Sequence, residues 1–302
     1  MHKYPKTVLS IQQQIQSYID AGMIVSSQDE AREALTTIGY YRLRGYCYHL
    51  YDNATKQYKK GTTLSDTISL YRFDEKLSNL IFQVISSIEV ALRVRLVEAL
   101  LTYGDPLILN DPAVFEDKKI YWKNMSIISS EIARSNDVFI KHNFDNHDGQ
   151  VPLWATVEIM SFGTLSKTIK NINTSGTPAF AKLAGFYKYK TPNGNLVKPS
   201  KKMLSSWIHA VTVLRNMCAH NSRIYNRAIN TTPELISIDR MNPQPRFNGL
   251  YQILLAMKYL RPTDEIWTDF VTGFKQLLVD YGSVVELNRM NFPLDWETHF
   301  SL

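Results

Sequence analysis

The sequence predicts an all-α protein, and three observations carry that expectation. Apolar residues recur at three- and four-residue intervals through most of the 302 residues, which is the spacing of one helix face. The longest stripe, Leu77, Leu80, Ile81, Val84, Ile85, Ile88, Leu92 and Leu96, runs for several turns before Gly104 stops it. Capping and stop residues stand where the stripes begin and end.

From the N-terminus, Leu9, Ile11, Ile15 and Ile19 mark a first helix that stops at Gly22. Ser27, with Glu30 three residues later, forms a capping box for a second. The aromatic stretch from Ile38 to Tyr51 follows, its tyrosines expected to pack with their polar tips at the surface. A helical signal then runs from Thr63 to Tyr103, with a break expected near Phe73. Residues 105–117 read as a loop, and Ile120 to Phe144 as a less regular helical segment. A short helix with Pro152 in its first turn is expected to end at Gly163, and Thr164 to open the next. Tyr187 to Lys202 reads as a loop or hairpin that delivers the chain to another helix. Leu250 to Leu260 and Asp264 to Tyr281 are two further helices, followed by an irregular tail containing proline and tryptophan. The whole of 1–302 is taken as a single domain, with N-terminal helices over 7–51, a core over roughly 63–260 and C-terminal helices over 250–281.

Composition bounds the function. With 44% hydrophobic and 12% aromatic residues the chain is globular. Thirty-four basic against 28 acidic residues give a net charge of +6, a mild bias toward an anionic partner. Cys47 and Cys218 lie far apart and form no CxxC, so neither a disulfide framework nor a zinc knuckle is expected, and a reducing cytoplasm fits. The first residues lack the apolar core of a secretory signal, and no stretch has the length of a membrane span.

The chemistry concentrates in Val213-Leu-Arg-Asn-Met-Cys-Ala-His-Asn-Ser-Arg223. Arg215 supplies a fixed cation that can hold a phosphate, and His220 an imidazole that titrates near neutral pH. Together they can cut RNA with no metal or other cofactor. Asn216 lies one turn before His220 and can orient its ring. On an ideal helix, however, Arg215 and His220 stand roughly 140° apart. Either the arginine reaches round, or the helix ends near His220, or a second copy completes the site across a homodimer, the most economical of the three.

Other candidates have plainer readings beside the functional ones. Arg44 and His49 repeat the Arg/His spacing but read as a surface arginine and a packed histidine among tyrosines. Glu89 and Arg93 form an i,i+4 pair and Arg95 lies near the apolar side, so they form an ion-paired face or support an active site. His142 and His147, near Asp145 and Asp148, match no standard metal spacing. Lys188, Lys190, Lys198, Lys201 and Lys202, with Tyr187 and Tyr189, can neutralise phosphates and stack on bases, or form a solvated loop.

Three segments in order, Ile38-Gly-Tyr-Tyr-Arg-Leu-Arg-Gly-Tyr46, Leu153-Trp-Ala-Thr-Val-Glu-Ile-Met-Ser-Phe-Gly-Thr-Leu-Ser166 and Leu214-Arg-Asn-Met-Cys-Ala-His-Asn-Ser-Arg223, resemble the Abi-like family of bacterial abortive-infection proteins of the AbiD and AbiF type. Arg72-Phe-Asp-Glu-Lys and Ile88-Glu-Val-Ala-Leu-Arg93 add to the likeness, which covers roughly 10–260. Through the last segment the chain is similar to HEPN domains, the helical modules of many RNA-cutting toxins. The resemblance implies a HEPN-like helical bundle with additional helices, commonly dimeric, and metal-independent endoribonuclease activity tied to phage defence. It places Arg215 and His220 on the catalytic pair and Asn216 on the polar position after the arginine. It also implies RNA as partner, a regulatory structured small RNA among the candidates, and no membrane. The rival reading is a non-catalytic module that binds RNA or a phage protein by sequestration.

Overall fold

Capping side chains fix where the helices start. A computed structural model describes residues 7–175, 178–240 and 249–302. Helix α1 (Ile11–Asp20) opens on a reciprocal Ser10/Gln13 capping box, and Gly22, at φ +80°, reverses the chain after it. Helices α2 (Gln28–Thr37) and α3 (Tyr40–Cys47) follow, and then an antiparallel hairpin, β1 (Tyr51–Asp52) and β2 (Gln57–Tyr58), pairs Tyr51 with Tyr58. Ser27 accepts from the Glu30 amide, capping α2 as the sequence predicts.

Thr63 caps α4 (Leu64–Leu100), whose 37 residues run for about 55 Å without a break. The break expected near Phe73 is therefore absent. Phe73 lies on the buried stripe itself, between Leu70 and Leu77, so packing continues through it. Helix α4 is the axis on which α2, α3 and most of the later helices converge.

The segment expected as one irregular helix is two, α5 (Lys118–Arg134) and α6 (Val138–Asn146), separated by Ser135 to Asp137. Helix α7 (Leu153–Ile159) ends before Gly163, which lies inside α8 (Phe162–Asn171). The correction has a local cause: Ser161 caps α8 by accepting from the Thr164 amide, so helix restarts two residues ahead of the expected position. After α9 (Ala179–Gly185), the hairpin β3 (Tyr189–Lys190) and β4 (Leu196–Val197) leads to Ser200, the cap of α10 (Lys201–Ala219).

Helices α11 (Leu250–Leu260) and α12 (Asp264–Tyr281) have the expected bounds. Gly273 lets α12 approach α4 closely, since a Cβ there would meet Leu80 at 3.1 Å. The tail is not irregular. It folds into α13 (Trp296–Phe300), and Phe292, Trp296 and Phe300 stand four residues apart and bury against Tyr251, Trp267 and Phe274. The core divides into a large cluster around α4, α10 and α11 and a smaller one that joins α1 to α3 to the start of α4. Among the described residues, 65% of the chain is helical and the two hairpins are its only sheets, so the fold is all-α. No described helix is long and apolar enough to cross a membrane.

Candidate active site at the end of α10

The stripe Leu204, Trp207, Ile208, Val211, Leu214 and Cys218 buries one face of α10 against α4, α8 and α11. Arg215 follows Leu214 in sequence and is half-buried at the edge of that face, while Asn216 is exposed. The helix ends at Ala219. His220 is its cap, with φ −99° and ψ 16°, and its amide donates to the Asn216 carbonyl at 3.1 Å. Asn221 then takes a left-handed turn at φ 49°. The angle of about 140° therefore does not apply to His220, which has left the helix and is exposed.

Arg215 is not alone. Glu89 of α4 places Oε2 3.6 Å from Arg215 Nε, and Oε1 2.9 Å from Arg93 Nη1. Arg93 Nη2 in turn donates to the Met160 carbonyl at 2.7 Å, tying the cluster to the α7–α8 junction. The Glu89 and Arg93 side chains are only 15% and 12% exposed, against 35% for Arg215. One carboxylate thus serves two guanidinium groups and leaves a formal charge of +1. The more accessible share of that charge is on Arg215, whose Nη1 reaches only Asn216 Oδ1, at 3.5 Å. The 3.6 Å contact is an ion pair without a hydrogen bond, which leaves the Arg215 donors available to an anionic phosphate.

The loop after His220 is fastened by a residue the sequence reading passed over. Asp74, buried on α4, accepts from the Tyr46 hydroxyl at 2.7 Å, the Tyr225 amide at 2.7 Å and the Ile224 amide at 3.2 Å. Burial pushes its carboxyl upward, against the pull of those donors. Arg42 donates to the Asn221 carbonyl at 2.6 Å, and Arg223 donates to the Gly45 carbonyl with its guanidinium over the Tyr46 ring. Helix α3 and α4 therefore grip both sides of the turn that carries His220. A signal existed: Asp74 falls on the buried stripe between Leu70 and Leu77, where a carboxylate needs donors. Burial pushes the pKa of the neighbouring Cys218 thiol up to about 11, so it stays protonated at neutral pH.

The lysine-rich segment is redistributed. Tyr187 is buried beneath the Arg95 guanidinium, 4.8 Å from its ring, and cannot stack on a base; it sits in the turn after α9, its amide donating to the Ala184 carbonyl. Tyr189 packs against Trp207 and Tyr259. Lys198 bonds the Ala181 carbonyl, Lys201 pairs with Glu116 and Lys202 with Glu234, whereas Lys188 and Lys190 have no acidic partner among the described residues. Arg44 lies over the Tyr51 ring and His49 is half-buried, which separates this second Arg/His pair into two packing roles. His142 and His147 touch ring to ring, but no described group of three His, Cys, Asp or Glu residues could hold a metal. Cys47 and Cys218 are both free.

Comparison with known proteins adds one finding. No curated protein and no solved structure matches the chain. A family model described as Abi-like protein matches residues 33–226, a narrower span than the 10–260 of the sequence resemblance. That span holds all three motif segments together with Asp74, Glu89 and Arg93, and covers more than half of the chain. The chain accordingly belongs to the Abi-like protein family.

Proposed function

We propose that this protein is a metal-independent endoribonuclease of the HEPN type, acting in the cytoplasm as an abortive-infection toxin in phage defence. The observation that carries the reading is an exposed His220 at the end of α10, five residues after Arg215, a half-buried cation facing Glu89. Membership of the Abi-like family supports the link to abortive infection.

In this reaction His220 takes the proton of a ribose 2'-hydroxyl, whose oxygen attacks the adjacent phosphorus. The O2'–P bond forms and the P–O5' bond breaks. The departing 5'-oxygen takes up a proton, and the products carry a 2',3'-cyclic phosphate and a 5'-hydroxyl. Arg215 stabilises the charge that builds on the phosphoryl oxygens, and Asn216 steadies Arg215. Glu89 and Arg93 position the guanidinium rather than touch the substrate.

A homodimer fits the same site. Val90 and Val94, 63% and 58% exposed, form an apolar strip on α4 beside Glu89 and Arg93, the kind of surface a second copy covers. A regulatory structured small RNA is a further partner in this proposal. The test is to incubate the purified protein with mixed RNAs in EDTA and map the ends. Cyclic-phosphate ends that vanish with His220→Ala support it; RNA bound but left intact supports the sequestering module instead.

A further inference from the structure

At the far end of α10 from Arg215, the β3–β4 hairpin and the α11–α12 corner enclose a cavity of about 510 Å³. None of its lining residues belongs to the cluster of Arg215, His220, Glu89 and Arg93. The cavity is therefore separate from the candidate active site.

Its charges do not balance. Tyr187 is buried and Tyr189 half-buried, whereas Lys188 and Lys190 are both exposed and stand together at the cavity rim. Neither ammonium has an acidic partner among the described residues. Lys258, buried in the wall, donates to the His299 and Ser301 carbonyls at 2.6 and 2.5 Å. It forms no ion pair among the described residues. Of the acids at the cavity, Asp264 holds Arg261 at 2.7 Å, while buried Asp239 accepts from the Tyr259 hydroxyl at 2.6 Å, lies 3.4 Å from His299 Nδ1 and offsets part of the Lys258 charge. Four cations, Lys188, Lys190, Lys258 and Arg261, thus face two carboxylates in one concavity, a surplus of two positive charges whose field the low-dielectric wall strengthens.

The rest of the lining says what carries the anion. Ile236, Leu196 and the Tyr259 ring supply an apolar side to a space far larger than a free phosphate needs. Cavities of this size hold small organic ligands. We infer that this cavity binds a nucleoside 5'-monophosphate unit, its phosphomonoester between Lys188, Lys190 and Lys258 and its base against the apolar side. Such a unit comes either as a free nucleotide or as the 5'-phosphorylated end of an RNA. The inference is independent of whether the Arg215/His220 site cuts RNA.

The test is calorimetric titration of the full chain with adenosine 5'-monophosphate, with adenosine and inorganic phosphate as controls. In parallel, anisotropy compares one short oligoribonucleotide with a 5'-phosphate and with a 5'-hydroxyl. Lys188→Glu/Lys190→Glu changes two exposed side chains, and circular dichroism checks that it is folded. Binding of the monophosphate but not of adenosine, weakened about tenfold or more in the double variant, supports a free-nucleotide ligand. Preference for the 5'-phosphorylated oligonucleotide, lost in the double variant, assigns the cavity to RNA ends. The inference is overturned if phosphate alone binds as tightly as the monophosphate, if neither the nucleotide nor the 5'-phosphate is recognised, or if the double variant binds as wild type does.

Discussion

Replacing Asp74 tests how the fold holds His220 in place. Asp74→Ala strands two backbone amides, those of Ile224 and Tyr225, and the Tyr46 hydroxyl. Each buried donor left without an acceptor costs about 1–3 kcal/mol. Two effects offset part of that sum: the fold no longer buries a carboxylate, and an adjoining cavity of about 20 Å³ has room for roughly one water. The net loss expected is about 3–5 kcal/mol. Asp74→Asn keeps one oxygen for the two amides and can donate to the Tyr46 oxygen, so it should cost only about 1–2 kcal/mol. Urea melts give the stability difference, and hydrogen exchange at the Ile224 and Tyr225 amides locates it. Alanine should strip protection from those two amides and slow RNA cleavage, while asparagine restores most of both. If the alanine variant melts with wild-type stability, or if asparagine is no better than alanine, the turn is not held by this carboxylate.

Glu89→Gln should lower the melt by about 1–3 kcal/mol, since Glu89 and Arg93 are only 15% and 12% exposed and two guanidinium groups lose their carboxylate, and should slow cleavage by the folded protein roughly ten- to a hundredfold by freeing Arg215. An unchanged rate would show that Arg215 needs no positioning carboxylate. Burial, reinforced by Arg289, holds His49 down to about 4 against an ordinary 6.5. In that interval the unfolded chain binds a proton that the folded chain refuses, so stability is full above pH 6.5 and falls as pH drops toward 4. Urea midpoints at pH 7 and 4.5 should differ more for wild type than for His49→Gln; equal slopes would place the imidazole in solvent. Sedimentation at micromolar concentration should give a dimer, and Val90→Asp/Val94→Asp a monomer; a wild-type monomer that cuts at full rate would exclude a composite site.

Much of the fold was written in local signals. The bounds of α11 and α12 and the cap at Ser27 follow from apolar spacing and capping chemistry within a few residues of each boundary. Errors arose where a long-range partner decided. Phe73 looked like a break until its burial against Tyr225 and Tyr281 was seen. The tail is likewise ordered by aromatic contacts with α11 and α12, whereas the α7–α8 boundary has a local cause, the Ser161 cap, which competes with the stop signal of Gly163. The site divides the same way. Arg215, Asn216 and His220 were legible because their spacing is local, and Glu89–Arg93 because it is one helical turn. That Glu89 reaches Arg215, 126 positions away, depends on how α10 packs on α4, which no spacing in the sequence encodes. Tyr187 and Lys188 are equivalent as RNA contacts by sequence, but Tyr187 is buried under Arg95 of α4 while Lys188 is exposed, a difference set by a residue 92 positions away.

Single-turnover cleavage of RNA in EDTA, comparing wild type with folded His220→Ala and Arg215→Ala, tests the central claim most directly. Wild type should leave 2',3'-cyclic phosphate and 5'-hydroxyl ends. Each variant should lose about a hundredfold or more in rate while its circular dichroism and melt stay as in wild type, because both groups act on the transition state more than on packing. Cleavage by His220→Ala at the wild-type rate, or ends bearing a 5'-phosphate, would contradict the mechanism.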